Sequence, residues 1–416
     1  MKVWILNHYA STPDQPLTSA FDLASGLVKR GHEVTIFASS FSHYKFKELR
    51  LRPGEKFRCE EYDGVRFVWI GTPPYSRNDW RRIVNMLSYA WRAFWVAKSL
   101  KEKPHLIIGV TVHPFAALAA YILAVLKRTP FIFEVRDLWP LTLIEFGRLS
   151  EHSPIAWAMS ALEWFLCHRA AKIITTVPGG GEYFKERGVP RDKTVWIPNG
   201  LDLSRYSNMK RYDGNVSLPF TVMYVGGHVY AFALDVILRA AQLNNGSGGS
   251  GVQFVFVGGG QEKPNLIRLS QDLGVDNVEF RDVVPKNDLY KVMEQADAFV
   301  LCMRDRPRLY KYGVSFNKLC DYLACGRPVI FAGSPFYNPI ADARAGIVIP
   351  PENPRELAAA IRMLADLNPE ERVRMGQNGQ QYVKEHHDIN ILTEKLESVL
   401  KSVAEVPEGR ASNQTT

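Results

Sequence analysis

The sequence predicts an α/β protein built from two doubly wound, Rossmann-like domains. Its 416 residues exceed what one hydrophobic core usually accommodates. Short β-rich runs alternate with helix-period segments through the first half, as a mostly parallel sheet requires. The same alternation starts again after a polar, turn-rich stretch at 202–219. Hydrophobic residues at 46% and charged residues at 23% match soluble globular usage and exclude a disordered or fibrous chain.

Taken in order, VWILNH opens the chain as a strand, because its apolar run is too short for a signal peptide and no small-residue cleavage site follows. A helix near 17–30, the strands HEVTIFAS and VRFVWIGT, a long helix near 78–101 and the strand LIIGV come next. A helix near 114–127, PFIFEV, a helix over 152–170, KIITTV and TVWIPN complete the first half. The second half reads FTVMYVGG, a helix near 233–243, VQFVFVGGG, VEFRDVV, AFVLCM, PVIFAG and AGIVIP, with helices between most of them. The expected domains are 1–201 and 220–389, joined by a linker at 202–219, with a helix at 390–405 returning toward the first domain. NNGSGGSG within 241–251 reads as a flexible loop and EVPEGRASNQTT as a disordered tail from 406.

The five cysteines (Cys59, Cys167, Cys302, Cys320, Cys325) are scattered, odd in number and contain no CxxC pair, which points to a reducing compartment without structural zinc. No apolar stretch reaches the roughly 20 residues of a membrane span. Charge is uneven: residues 1–200 hold 27 Lys+Arg and 18 Asp+Glu (+9), leaving 24 and 25 (−1) beyond. The basic half should face something acidic. Within 77–103, Trp80, Ile83, Leu87, Trp91, Phe94 and Trp95 recur at helical spacing beside Arg77, Arg81, Arg82, Arg92, Lys98, Lys101 and Lys103. That pattern fits a helix lying at a membrane interface, or a core-facing helix whose basic side chains cover its rim. PIAWAMSALEWFLCHRAAK adds a second apolar helix to the membrane reading. Nucleic acid is not indicated, since no recognised binding module appears.

In open parallel sheets, ligands sit at the carboxyl ends of strands. The turn after the first strand, NHYASTPDQPLTSAF, lacks the G-x-G-x-x-G of a dinucleotide site. In the second half, Gly226 and Gly227 end one strand and Gly258, Gly259 and Gly260 the next. Such glycines either bare backbone amides for a ligand or only make tight turns. In YGVSFNKLCDYLACGRPVIF, residues 312–331, Ser315 can cap a helix start. The amides of Phe316, Asn317 and Lys318 would then favour an anion, with Lys318 adding a full charge. Asp321, one turn on, could accept hydrogen bonds from a ribose diol, or simply pair with Lys318 on a surface helix. No Ser/His/Asp set, Cys/His pair or metal-ligand cluster stands out.

CDYLACGRPVIF resembles the signature helix and following strand of glycosyltransferase family 4, E-x7-E followed by A-M-A-x-G-x-P-V. KRGHEVTIFAS, VRDLWP, IPNGLDLSRY, FVFVGGG and YGVSFNKLCDYLACGRPVI extend the resemblance along nearly the whole chain. They resemble the bacterial subgroup that adds N-acetylated amino sugars, such as fucosamine, in O-antigen and capsule synthesis. The resemblance implies a GT-B fold, a nucleotide-sugar donor (UDP-linked) held mainly by the second domain, and retention of configuration without a metal or a further cofactor. By position, Asp321 matches the ribose-binding second glutamate, and the first glutamate falls on Gly313. Family members carry an Arg and a Lys after the first strand of the second domain. Here the chain reads GGHVYAFALD, with His228 as the one possible cation. Lys318, Arg304 and Lys311 are therefore expected to offset the diphosphate charge.

Arg281 to Val283 corresponds to backbone that faces the nucleobase. Arg136 and Asp137 fall where the family has a His–Asp pair near the reacting sugar, and either touch substrate or form an internal ion pair. His113 follows the preceding strand on the acceptor side. In the family, retention is explained by the leaving diphosphate itself helping to deprotonate the acceptor, so stabilising that leaving group is the main task. A lipid-diphosphate-linked glycan at the cytoplasmic face of the membrane, approached by a peripherally bound protein, would account for the basic aromatic domain. A sugar-nucleotide 2-epimerase of similar fold and a non-catalytic, membrane-bound sugar-nucleotide sensor are the alternatives.

Overall fold

The computed structural model describes residues 1–416 except 13–17, 44, 78, 112, 217, 246–250 and 406–416. The centre of the predicted 241–251 loop and the predicted tail lie outside the described residues. The chain forms two compact units. One comprises the described residues up to Pro198 together with those from Ile389, and the other is Asn199–Asp388.

The first unit is built on an eight-stranded sheet of β1 (Lys2–Leu6), β2 (Glu33–Ser39), β3 (Phe57–Tyr62), β4 (Val65–Ile70), β5 (Leu106–Thr111), β6 (Phe131–Val135), β7 (Lys172–Thr175) and β8 (Thr194–Trp196). Its order is β8-β7-β6-β5-β1-β2-β4-β3. Most of these strands are continuous apolar runs, as strands covered by helices on both faces require. The exception is β3, FRCEEY, which pairs antiparallel with β4 at the edge and is nowhere fully buried. Its charges suit an edge strand and hid it from a search for apolar runs.

Helix α1 (Ser19–Lys29) packs on this sheet, followed by α2 (Trp80–Ser99), α3 (Pro114–Lys127) and α4 (Pro154–Arg169), with shorter helical turns between elements. Asp79 caps α2 by accepting from the Arg81 amide at 2.9 Å. The core side of α2 is Asn85, Met86, Tyr89, Ala90, Ala93 and Ala97. Its tryptophans point away: Trp80 and Trp91 are each 65% exposed, and Ile83, Leu87 and Trp95 are exposed as well. The core-facing reading of the 77–103 stripe is therefore excluded. The small residues pack, and the large ones do not.

The second unit holds a six-stranded parallel sheet of β9 (Phe220–Val225), β10 (Val252–Val257), β11 (Val278–Arg281), β12 (Ala298–Cys302), β13 (Val329–Ala332) and β14 (Gly346–Ile349), in the order β11-β10-β9-β12-β13-β14. Its principal helices are α5 (Leu234–Asn244), α6 (Lys263–Asp272), α7 (Asn317–Ala324), α8 (Pro354–Asp366) and α9 (Pro369–His386). The final helix, α10 (Ile389–Ala404), belongs to the first unit, where Leu392, Leu396, Val399, Leu400 and Val403 join its core. A Cβ on Gly26 of α1 would overlap Thr393 of α10, so glycine permits the close approach of these helices.

The segment expected as a linker is instead part of the second unit. The Tyr206 hydroxyl donates to Asp321 Oδ1 at 2.6 Å, and the Gly214 carbonyl accepts from Arg372 at 2.9 Å. The chain thus passes between units at 198/199 and 388/389. Polar, turn-rich sequence satisfied its hydrogen bonds on a neighbouring surface rather than in solvent.

Each sheet reverses direction once. In the first unit β1 lies between β2 and β5, and in the second β9 lies between β10 and β12. The crevices at the carboxyl ends of these strands are where such sheets receive ligands.

Candidate functional site

In the second unit the chain leaves β9 through Gly226, Gly227 and His228, and Lys318, in the first turn of α7, folds over this turn. Its Nζ donates to the Tyr224 hydroxyl at 2.6 Å and lies 3.1 Å from the centroid of the Phe232 ring. Among the described residues no carboxylate pairs with Lys318, and burial pushes its ammonium well below the usual lysine range. Helix α7 has Phe316 at its N-cap with no side-chain hydrogen bond. Its first amides are therefore uncapped. Ser315, predicted to cap them, instead accepts from Asn199 Nδ2 at 2.8 Å.

The glycines around this turn have reasons of their own. Gly226 and Gly258 adopt φ of 151° and 139°, and a Cβ on Gly258 would overlap the Gly226 carbonyl. Their amides are not bare, since they donate to the carbonyls of Val257 at 2.9 Å and Arg281 at 3.2 Å. Gly227 differs, because a Cβ there would meet only Val229, at 3.8 Å. His228 is fully buried, and among the described residues neither ring nitrogen has a hydrogen-bond partner. Burial, then Lys263 and Lys318, lowers it to about 4, so it is neutral and not the cation expected at this position. Lys263, which sequence reasoning missed, clamps the strand ends by donating to the carbonyls of Gly258 at 3.1 Å and Arg281 at 2.9 Å.

In the first unit, β1 ends toward His8 and β5 toward His113, and the two rings meet across the reversal point. His113 caps α3, with its Nδ1 accepting from the Ala116 amide at 3.4 Å. Its Nε2 must then carry the proton and donate to His8 Nδ1 at 2.6 Å, which puts the His8 proton on Nε2, on the side of the Asn85 amide. Burial lowers His113 to about 3 and takes His8 well below its ordinary value, so both are neutral. The expected lone acceptor-side histidine is half of a buried pair. Tyr9 stacks on His8 at 4.2 Å and accepts from Arg82 Nε of α2 at 3.3 Å. His43, beyond β2, bonds the Tyr75 hydroxyl at 2.6 Å.

After β6, Arg136 and Asp137 do not pair with each other. Arg136 meets Glu134 at 3.0 Å and donates to Ser19 Oγ at 2.8 Å. The Asp137 carboxylate is exposed and, among the described residues, makes no hydrogen bond or ion pair. Desolvation by the surrounding protein nevertheless raises it above the ordinary carboxylate value, against the opposing pull of Arg136 and Arg82.

Residues 17–200 match the family of glycosyl transferase 4-like domains, and residues 219–366 match glycosyl transferases group 1. The chain belongs to glycosyltransferase family 4. It is 21% identical to the glycosyl transferase WcaI of Escherichia coli K12, whose name provisionally assigns it to colanic acid biosynthesis, over 82% of this chain and 86% of that one. Sucrose-phosphate synthase from Thermosynechococcus elongatus matches its structure with a TM-score of 0.75 at 17% identity, covering 96% of this chain and 98% of that one. Anabaena HepE, solved in complex with UDP-glucose, matches with a TM-score of 0.69 at 16% identity, covering 97% and 100%. The fold is GT-B.

Within this family 4 glycosyltransferase, several expected site residues are engaged elsewhere. Arg304 is held by Asp235 at 2.5 Å and Glu352 at 2.8 Å, so its charge is already offset and it is not a free cation for a diphosphate. The Arg281 side chain turns to Glu279 and Gln295, at 2.8 and 2.7 Å. Lys311 is exposed beside the Tyr312 ring. Phe316 packs edge-on against Phe232, and Asn317 opens α7. Asp321 pairs with Lys286 at 2.5 Å rather than with Lys318. Lys286 follows β11, so the strand-end rule could have found it. Gly313, at the family's first glutamate, has φ of 88°, where a side chain is strained. Arg82 was legible in the sequence only as part of the basic pattern of 77–103, since only the fold brings it to Tyr9 after β1.

Proposed function

We propose that this enzyme is a retaining glycosyltransferase. In this reading it moves an N-acetylated amino sugar from a UDP-sugar to a lipid-diphosphate-linked glycan during surface polysaccharide synthesis. The observation that carries the donor side is Lys318, a half-buried lysine without a counter-ion among the described residues, poised beside the uncapped start of α7 at the end of β9. A diphosphate supplies the missing negative charge and accepts from the orphan amides. As the sugar–oxygen bond breaks, charge gathers on the leaving phosphate, where Lys318 and these amides stabilise it. The acceptor hydroxyl attacks on the same face and passes its proton to that phosphate oxygen. Asp137, an unpaired carboxylate at a strand end, orients the hydroxyl. Protein cations carry the leaving-group charge in this reading, without a resident metal or a further cofactor.

The acceptor side rests on the outer face of the first unit. Trp80, Trp91 and Trp95 of α2 are exposed, together with Ile122, Val125 and Leu126 of α3 and Ile155, Trp157 and Trp164 of α4. Helices α2 and α3 contain no Asp or Glu, and the one such residue in α4, Glu163, is buried against Arg187. An apolar face on helices whose exposed charged side chains are all basic suits an anionic bilayer at the cytoplasmic side. Among the described residues no helix is long and apolar enough to cross a membrane, which fits peripheral attachment. The colanic acid assignment in the name of WcaI and the UDP-glucose bound by HepE support the process and the nucleotide.

The test is UDP release from UDP-linked N-acetylated amino sugars, with and without a lipid-diphosphate glycan, on anionic vesicles. Release that depends on the acceptor is expected. Donor turnover that is equal without acceptor would replace transfer with epimerisation or hydrolysis, and absence of turnover with every acceptor would leave a sensor.

A further inference from the structure

We propose that His228 donates a hydrogen bond to a phosphate oxygen of the nucleotide-sugar donor. The inference rests on the donor site proposed above and adds to it a residue that carries no charge. The backbone of His228, in the turn after β9, is fixed on both sides: its amide donates to the Gly259 carbonyl at 2.8 Å, and its carbonyl accepts from the Glu262 amide at 3.0 Å. The side chain is not fixed in this way. Its ring is fully buried, and among the described residues both nitrogens are without a hydrogen-bond partner.

A neutral imidazole has one N–H to give and one lone pair to fill. Burying both unmet carries the desolvation cost of each, which is why most buried polar groups are paired. Packing does not require a histidine here. The nearest rings are Tyr224, Phe256 and Phe280, with centroids 5.9, 6.3 and 6.3 Å away, and these three are register partners across β9, β10 and β11. An apolar side chain would complete that aromatic row equally well, whereas histidine adds hydrogen bonding that no protein group uses.

The charges beside the ring point to a phosphate. Lys263 and Lys318 both act on it, and together with burial they keep it neutral. Lys263 is already engaged, donating to the Gly258 and Arg281 carbonyls at 3.1 and 2.9 Å and to Asp282 at 2.8 Å. Lys318 gives one N–H to Tyr224 and, among the described residues, has two left. An anion with several oxygens accepts from Lys318 and from the imidazole N–H at once, and a sugar hydroxyl would leave the ammonium without its counter-charge. The turn has room for such a ligand, since a Cβ on Gly227 would meet only Val229, at 3.8 Å. A ring that turns toward the phosphate breaks no hydrogen bond to the protein and is relieved of the cost of its bare nitrogens.

The test titrates UDP, inorganic pyrophosphate and uridine into the full-length protein, wild type, His228→Leu, His228→Gln and Lys318→Met, and melts each without ligand. His228→Leu should weaken UDP and pyrophosphate about tenfold, the usual effect of losing one hydrogen bond to a charged group, and leave uridine where it was. It should melt no lower than the wild type, because leucine removes an unpaired buried polar group. His228→Gln, which keeps an N–H, should recover part of the affinity. If Lys318→Met weakens pyrophosphate and His228→Leu does not, this inference fails and the donor site stands. If neither variant weakens UDP, the donor site fails and takes the inference with it. Weaker UDP with unchanged pyrophosphate would put the ring against the nucleoside and overturn the phosphate contact. A lower melting temperature with equal loss of all three ligands, unrelieved by glutamine, would mark His228 as structural and also overturns the proposal.

Discussion

Replacing Lys318 with Met separates the two things a half-buried cation does. In the ligand-free protein the ammonium is desolvated against Phe232, and among the described residues the Tyr224 hydroxyl is its one hydrogen-bond partner. Its folded pKa lies below the unfolded value, so the charged form weakens the fold. That penalty is absent above the ordinary lysine pKa, grows as pH falls through it, and is complete below the folded pKa. Methionine fills the site without charge, and Tyr224 keeps its bond to the Gly227 carbonyl at 2.7 Å. The variant should therefore melt no lower than the wild type near neutral pH. UDP affinity should fall by about 1.5–3 kcal/mol, the usual value of a charge-assisted hydrogen bond, or roughly 10- to 150-fold. Unchanged UDP affinity in Lys318→Met would refute the assignment of the site.

Other expectations follow from the same geometry. Asp137→Asn should lower kcat by roughly 100-fold while leaving UDP affinity intact. Because desolvation raises this carboxyl, the wild-type rate should climb with pH through a pKa above the ordinary carboxylate range, and the variant should lose that limb. Gly227→Arg adds a cation to the turn after β9, where a Cβ would meet only Val229 at ordinary contact distance, so it should fold normally and tighten UDP binding about tenfold, read by titration calorimetry. Leu400→Ala opens a cavity where α10 completes the core of the first unit, and should cost about 2–5 kcal/mol in denaturant unfolding.

The fold was legible because parallel strands buried on both faces leave unbroken apolar runs. The helix predicted at 114–127 is α3 to the residue, since Pro114 begins it and Arg128 ends it in a left-handed conformation. Edge strand β3 was not legible, because one-sided, charged strands carry no such run. At the site, Lys318 was readable from the helix-start pattern. The engagement of Arg304 by Asp235 and Glu352 was not, since those carboxylates lie 69 and 48 residues away. Charge in a sequence shows which residues could meet an anion, and only the fold shows which are already paired. Gly313 makes the same point. Its departure from the family's glutamate looks like a change in specificity, yet its left-handed backbone is sufficient reason for glycine.

Asp321 is where a family role and a structural role can be told apart. Its Oδ1 receives both the Lys286 ammonium at 2.5 Å and the Tyr206 hydroxyl at 2.6 Å, and the lysine and aspartate side chains are 9% and 8% exposed. Among the described residues Oδ2 makes no hydrogen bond, so a ribose diol would be met there. If Asp321 were only a ribose ligand, Asp321→Ala would weaken UDP and leave the fold untouched. The pair predicts more. Removing one partner of a buried ion pair strands the other, at a cost of about 3–5 kcal/mol. For a unit of this size that lowers the melting temperature by roughly 10 °C. The double variant Asp321→Leu with Lys286→Met removes both charges and should recover much of the loss, while UDP affinity stays low. Inorganic pyrophosphate, which has no ribose, should bind the double variant and the wild type alike. A single variant that melts within about 1 °C of the wild type would show that Lys286 holds no buried charge in need of Asp321, and the carboxylate would then belong to the ribose alone.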